Sequence, residues 1–537
     1  MTAALQRQLQ TIVVIYAENR SFDSLFGSFP GAAGLNEVVD AGGKPLPAYV
    51  PQKDRDGSLL ATLPQTWGGV TAAGATPVVT QAQSAGLPNA PFSIETAFTA
   101  ASGVRLSSAV VTRDLIHRFY ENQMQIDGGS NAGFAAWSNA GGLALGHFDY
   151  SGSALYRLAQ QYVLADHFFQ GAFGGSFLNH QYLICACASE YPHADTPSNG
   201  AHPSIALLER DADGHYLPRL TATDQSPASA LTGAPRYLVS GNISPDNYFG
   251  DHKFYAINTM QPAYQPSGNP PIDAAHLQSA DPGNDTTLPP QTQATIGDLL
   301  SSAGISWKWY SGAWNAALAD GRQPADTARR VIYTPATPLG EPDFQPHHVP
   351  FNYYAAFDPA THSSERAAHL QDYSDLLRDI QRGHLPAVAF YKPQGNLNQH
   401  PGYANLDDGD RHIAQLVQRL RASPQWRHML ILITYDEFGG IWDHLPPPQG
   451  DLLGPGTRIP AILISPLAKP GTVDHTPYDT ASILRLITRR YRLPTLDGIR
   501  ARDAALQAHG APAMGDLTAP LALLPPDRRG NRKAARR

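Results

Sequence analysis

Five apolar runs rich in β-branched and aromatic residues punctuate the chain: TIVVIYA (11–17), ISWKWYS (305–311), AVAFYKP (387–393), MLILITY (429–435) and IPAILIS (459–465). Between them the apolar spacing turns helical, over 295–304, 364–382, 410–422 and 478–492. The first of these helices has Thr295 in the cap position and Gly304 at its end, which bracket a helix on both sides. Unbroken apolar strands alternating with amphipathic helices predict an α/β fold, with a mostly parallel central sheet covered by helices on both faces. Two stretches break the pattern. Residues 40–90 and about 190–294 are rich in Pro, Gly, Ser, Asn and Asp. The longer one is expected to be an irregular capping insertion, because long irregular segments in a compact domain often form binding walls. The expected organisation is one catalytic domain over 1–525, followed by a basic flexible tail over 526–537.

Two of the strands end in an unusual way. TIVVIYA runs into Glu18-Asn19, and MLILITY runs into Asp436-Glu437. A buried strand that delivers carboxylates needs a partner for them, since an unpaired buried charge is costly. In open α/β sheets ligands bind at the carboxyl ends of the strands. If the two strands are neighbours, Glu18, Asn19, Asp436 and Glu437 converge, and a hard divalent cation would relieve their mutual repulsion. Separate turns and caps, each satisfied locally, are the competing reading of either pair alone.

Composition narrows the picture only a little. Of 537 residues 42% are hydrophobic and 16% charged, which excludes wholesale disorder and allows a large core. A formal net charge of -7 gives no sign of nucleic-acid binding. No segment is long and apolar enough for stable membrane insertion, and TIVVIYA is too short for a signal peptide. Cys185 and Cys187 are the only cysteines. They are expected to pack as small hydrophobes, without a disulfide between them.

GAFGGSFLNHQYLICACA (171–188) places Ser176 after two glycines, where the chain turns helical. Exposed N–H groups at a helix start suit a phosphate, and a serine beside a metal can act as nucleophile. Asn179, a turn further on, could donate to a phosphate oxygen. An ordinary N-cap serine is the plainer alternative. Histidines supply candidate proton donors: His117 in LIHRFYENQMQIDGG, His347 and His348 in FQPHHVPF, and His400 in NLNQHPGY. Any histidine ligands would draw the metal preference toward zinc or iron.

ENRSFDSLFG, HRFYENQMQIDGG, GGSFLNHQY, NLNQHPGY and YDEFGGIWDH together resemble the bacterial phosphoesterase family that joins acid phosphatase A to the secreted phospholipases C. They are closest to the acid phosphatase branch, since the phospholipase branch typically carries threonine at the nucleophile position. The resemblance implies an alkaline-phosphatase-like sandwich with a cap. It implies Ser176 as nucleophile, and Glu18, Asn19, Asp436, Glu437 and the Ser176 oxygen as metal ligands. It places His117, His348 and His400 near the phosphate as catalytic groups, with Asn179, His117 and His347 binding substrate. It also implies export to the periplasm or beyond, after loss of a leader. One departure is Asn131-Ala132 in GGSNAGF, where the family pattern reads Asn-Asp.

The expected activity is metal-dependent acid phosphatase chemistry on a small phosphate monoester through a phosphoserine, with one or more divalent ions of unspecified identity. A phospholipase C-type phosphodiesterase is the first alternative, for which Tyr237, Tyr248, Phe249 and Tyr255 could form an ammonium cage. A non-catalytic phosphate- or metal-binding protein is the second.

Overall fold

The structure is a computed structural model that describes residues 2–192, 204–205, 209–210, 216–217, 226–236, 251, 253–334 and 342–524. Tyr237, Tyr248, Phe249 and the basic tail lie outside the described residues.

The five apolar runs form strands, and three short segments complete an eight-stranded sheet. In chain order the strands are β1 (Thr11–Ala17), β2 (Val163–Ala165), β3 (Trp307–Ser311), β4 (Leu370–Asp372), β5 (Val388–Lys392), β6 (Met429–Tyr435), β7 (Ala461–Ile464) and β8 (Thr472–Asp474). Their order across the sheet is β4-β3-β5-β1-β6-β7-β2-β8. Of these, only β7 runs antiparallel to its neighbours. Strands β1, β5 and β6 are buried at every position. That burial on both faces explains why they read as continuous apolar runs and not as alternating ones.

The helical expectations largely hold. Ile296–Ser302 begins at a reciprocal capping box of Thr295 and Asp298. Leu406–Ala422 and Ala481–Tyr491 cover two more of the predicted helices. The stretch 364–382 differs from the single helix predicted. It forms Ser363–His369, then the edge strand β4, then Tyr373–Arg382. The helical spacing runs through the break because LQD is too short to declare a strand period, and tertiary pairing with Trp309–Ser311 decides it. Within 190–294 the described residues form only two-residue strands and isolated bridges.

Cys185 and Cys187 are joined in a disulfide, which corrects the expectation of two separate thiols. The helix ends at Cys185, and Ala186 takes a left-handed φ of 52°. The chain therefore reverses within one residue and brings the two Cα atoms to 5.1 Å. Neither helix nor strand spacing describes such a turn.

The segments that leave β1 and β6 are locked together by buried charge. Arg458 pairs with Asp23 at 3.0 Å and Asp443 at 2.9 Å, and His444 Nδ1 lies 2.6 Å from Asp23. Burial pushes Asp23 upward, but the His444 and Arg458 cations outweigh it and hold the carboxyl below its ordinary range. Burial likewise opposes charge on His444, yet Asp23 raises it above the usual imidazole value. The stabilisation through Asp23 is present above its unfolded pKa and is lost as pH falls through the lower folded one. That through His444 is present below its unfolded pKa and is lost as pH rises through the higher folded one. The destabilisation by Asp23→Asn, from denaturant midpoints, is therefore expected to be largest between about pH 4 and 6.5 and to shrink on both sides.

Candidate active site

Strands β5, β1 and β6 are adjacent and parallel, with Ala17 paired to Tyr435 in register. Their carboxyl ends therefore present Lys392, Glu18-Asn19 and Asp436-Glu437 side by side, and all five residues are fully buried. Asn19 takes a left-handed φ of 56°, a conformation Asn tolerates better than most residues.

Ser176 opens the helix Ser176–Cys185, which is buried along its whole length. The preceding turn relies on missing side chains. A Cβ on Gly174, whose φ is +84°, would lie 2.5 Å from the Phe119 nitrogen, and one on Gly175 would lie 2.8 Å from the His117 carbonyl oxygen. Asn179 braces this turn from within. Its Oδ1 accepts from the Ala172 N–H at 2.9 Å, and its Nδ2 donates to the carbonyls of Ala172 and Gly175, each at 3.1 Å. These bonds tie the amide to the turn that carries Ser176. Asn179→Ala is expected to cost about 1–3 kcal/mol, because it strands buried backbone groups. The shift in urea midpoint would measure it.

The Ser176 hydroxyl sits among acceptors. Glu18 Oε1, Asn19 Oδ1 and Glu437 Oε1 each lie 3.2 Å from its Oγ. One hydroxyl proton cannot satisfy three acceptors, two of them carboxylate oxygens. Asp436 stands beside this group. Its Oδ1 accepts the N–H groups of Asn19 and Glu437, at 3.0 and 2.9 Å. Its Oδ2 lies 3.6 Å from Lys392 Nζ and has no hydrogen-bond partner. Burial and the neighbouring carboxylates push Asp436 up to about 7 and Glu437 well above its ordinary range, and burial also raises Glu18. An oxygen-rich donor set that is short of positive charge fits a divalent cation.

Lys392 is a fixed cation that the sequence reading missed. Its Nζ contacts Glu18 Oε2 and lies 3.2 Å from the Ala17 carbonyl. Asn398 Nδ2 donates to the same Glu18 oxygen at 3.1 Å. His180 was missed as well. Its Nδ1 donates to the Ser176 carbonyl at 2.7 Å, and its ring stacks on His348. A lysine closing a strand run and a histidine inside a helix carry no local signal of a site.

The structure brings the four expected histidines around the same centre. His348 Nε2 lies 2.7 Å from Glu18 Oε1. His117 donates Nδ1–H to the Leu115 carbonyl at 2.6 Å, and His400 donates Nδ1–H to the Pro401 carbonyl. Their Nε2 atoms are then acceptors, and both face the Asn19 amide nitrogen, at 3.4 Å for His117 and 2.9 Å for His400. His347 bonds Tyr333 through Nδ1 at 3.2 Å. Burial and Lys392 hold His348 well below the usual imidazole range and push His347 down to about 3, while burial and His117 lower His400. Charge on these three rings is thus disfavoured in the free protein.

A cavity of about 620 Å³ opens onto Ser176. Its wall includes Arg118, Asn139, Asn258, Gln345, His347 and Tyr403. The GGSNAGF loop serves the site indirectly. Asn131 Nδ2 donates to the Asp443 carbonyl at 2.7 Å and its carbonyl accepts from Trp442 Nε1 at 3.1 Å, so the loop anchors the segment after Glu437.

A sequence model of the phosphoesterase family matches residues 9–494. The chain is similar to non-specific phospholipase C4 of Arabidopsis thaliana, 30% identical over 192 residues, or 29% of this chain and 35% of that protein. It is similar to phospholipase C B of Mycobacterium tuberculosis, 25% identical over 244 residues, or 41% of each. The non-hemolytic phospholipase C of Burkholderia pseudomallei is 26% identical over 269 residues, 44% of this chain and 36% of that protein. The matches thus span roughly a third to two fifths of these curated relatives. Among solved structures, a protein in the alkaline phosphatase superfamily from Vibrio parahaemolyticus covers 70% of this chain and 65% of its own, with 10% identity and a TM-score of 0.28.

Proposed function

The chain belongs to the phosphoesterase family, and from its site we propose that it is a metal-dependent hydrolase of phosphate monoesters that works through a phosphoserine. The observation that carries this reading is the Ser176 hydroxyl, at a helix start and 3.2 Å from the Glu18, Asn19 and Glu437 oxygens. Glu18, Asn19, Glu437 and the Ser176 oxygen, with Asp436 beside them, would hold a divalent ion. Such an ion supplies Lewis-acid activation of the hydroxyl and neutralises phosphate charge.

The chain's own groups account for the rest. Ser176 Oγ attacks phosphorus in line, its bond to phosphorus forms as the ester P–O bond breaks, and its proton passes to a neighbouring carboxylate. Backbone N–H groups of the first helical turn face the non-bridging oxygens. In this reading His348 or His400 gives a proton to the departing alkoxide, with His347 binding the substrate. An incoming phosphate dianion favours their charged forms, so the proton is taken up with substrate. Monoester kcat/KM, which reports the free protein, is thus expected to decline with rising pH from the acid end, while kcat persists closer to neutral. Parallel pH profiles of the two constants check this, and coincident limbs would count against proton uptake with substrate. Water then releases phosphate from Ser176.

The polar cavity wall around Arg118, Asn139, Asn258 and Gln345 supports a small hydrophilic ester. The names of the relatives favour a second reading, a phospholipase C-type phosphodiesterase. Hydrolysis of p-nitrophenyl phosphate and of a choline phosphodiester analogue, run side by side from about pH 4 to 9, separates them. Monoester turnover alone is the expected result, and diester turnover alone would replace the reading with the second.

A further inference from the structure

We propose that Asp166, His167 and His475 form a second, peripheral site for a borderline divalent cation such as Zn2+, away from the phosphoester site. Asp166-His167 directly follows β2, and His475 directly follows β8, its parallel neighbour at the edge of the sheet. The register pairs Ala165 with Asp474, so the next residues of both strands emerge together. His167 Nδ1 lies 2.7 Å from Asp166 Oδ1, and His475 Nδ1 lies 2.8 Å from Asp166 Oδ2. One ligand atom from each residue falls within 4.8 Å of the other two.

The surroundings suit a cation. Asp166 is fully buried and carries an N–H bond from Ala33 at 2.8 Å on Oδ2, which fixes the carboxylate in place. Contacts with both imidazoles and with Ala33 hold its carboxyl below the usual range against burial. Arg458 reaches the Asp166 main-chain carbonyl and leaves the carboxylate free of it, and its charge is already matched by Asp23 and Asp443. The two histidine side chains are 25% and 59% exposed, so water can supply a further ligand. On metal binding each Nδ1 proton moves to Nε2, where solvent accepts it, and no unsatisfied group is created. Two imidazoles and one carboxylate with an open side match zinc in donor type. Bound there, the ion would tie the outermost strand β8 to β2.

The test counts metal on the full-length protein. Wild type, His475→Ala and His167→Ala are stripped with chelator, dialysed against Zn2+ in excess of both sites, freed of unbound metal by gel filtration, and analysed for bound zinc per chain. The expected result is one zinc fewer per chain in each variant, with unchanged phosphate-ester turnover and with a smaller Zn2+-induced rise in Tm. Equal zinc content in wild type and His475→Ala would overturn the proposal. His475 is largely exposed, so that variant decides the question even where His167→Ala does not fold. The phosphoester site contributes the same zinc to all three proteins, so failure of the active-site reading leaves the difference intact.

Discussion

Ser176→Ala is expected to remove phosphate-ester turnover by at least about 10³-fold, the scale seen when a covalent nucleophile is lost. The fold should survive, because the hydroxyl contributes no indispensable bond. Its single proton is offered to three oxygens at 3.2 Å, and the helix it opens is held by Asn179, His180 and its own buried length. A Tm within a few degrees of wild type should therefore accompany the lost activity. Activity above about one part in a hundred would remove Ser176 from the nucleophile role. A wild-type protein that binds phosphate stoichiometrically and turns over neither monoester nor diester would support the non-catalytic reading.

Lys392→Met should give the largest change in stability. Lys392 is fully buried against Glu18 and near Asp436, and Glu437 lies in the same cluster. Two effects compete. Removing the ammonium relieves the cost of burying it, but it leaves the carboxylates with no fixed counter-charge. Breaking a buried pair from one side generally costs about 3–5 kcal/mol, and the uncompensated charge wins. The loss should be greatest in chelator-treated protein and smaller when divalent cation is present, since a bound cation supplies the missing charge. Urea unfolding of both proteins, with and without metal, measures the difference. A loss independent of metal would mean that Lys392 acts only in packing.

The strand ends were legible because two chemical oddities, Glu18-Asn19 and Asp436-Glu437, each closed a run too apolar to be anything but core. Adjacency of β1 and β6 then does what the sequence could only make conditional. Lys392 escaped notice for a positional reason. It belongs to a third strand, and only the order β5-β1-β6 shows that its ammonium reaches Glu18. The bracing role of Asn179 was not legible, because a helix-borne amide near a nucleophile can serve substrate or backbone equally well until the turn at 171–175 is seen. The broken helix at 364–382 and the disulfide were illegible for a common cause. Each depends on a few residues whose conformation is set by distant partners or by one left-handed residue, Ala186.

The tight seating of Gly174 and Gly175 against the backbone of 117–119 has a consequence for how the site could diversify. With 2.5 and 2.8 Å to a notional Cβ, the nucleophile turn and the His117 segment are separated by a spacer of no adjustable thickness. A lineage selecting new leaving groups cannot widen the pocket there without dislodging Ser176 and His117 together. The freedom to vary lies elsewhere in the lining, at Ser204, Thr259 and Gln345, whereas Asn258 accepts the Phe119 N–H at 3.1 Å and belongs with the fixed turn. Chemistry and selectivity then fall to different residues of one cavity, and libraries aimed at new substrates would best be confined to Ser204, Thr259 and Gln345.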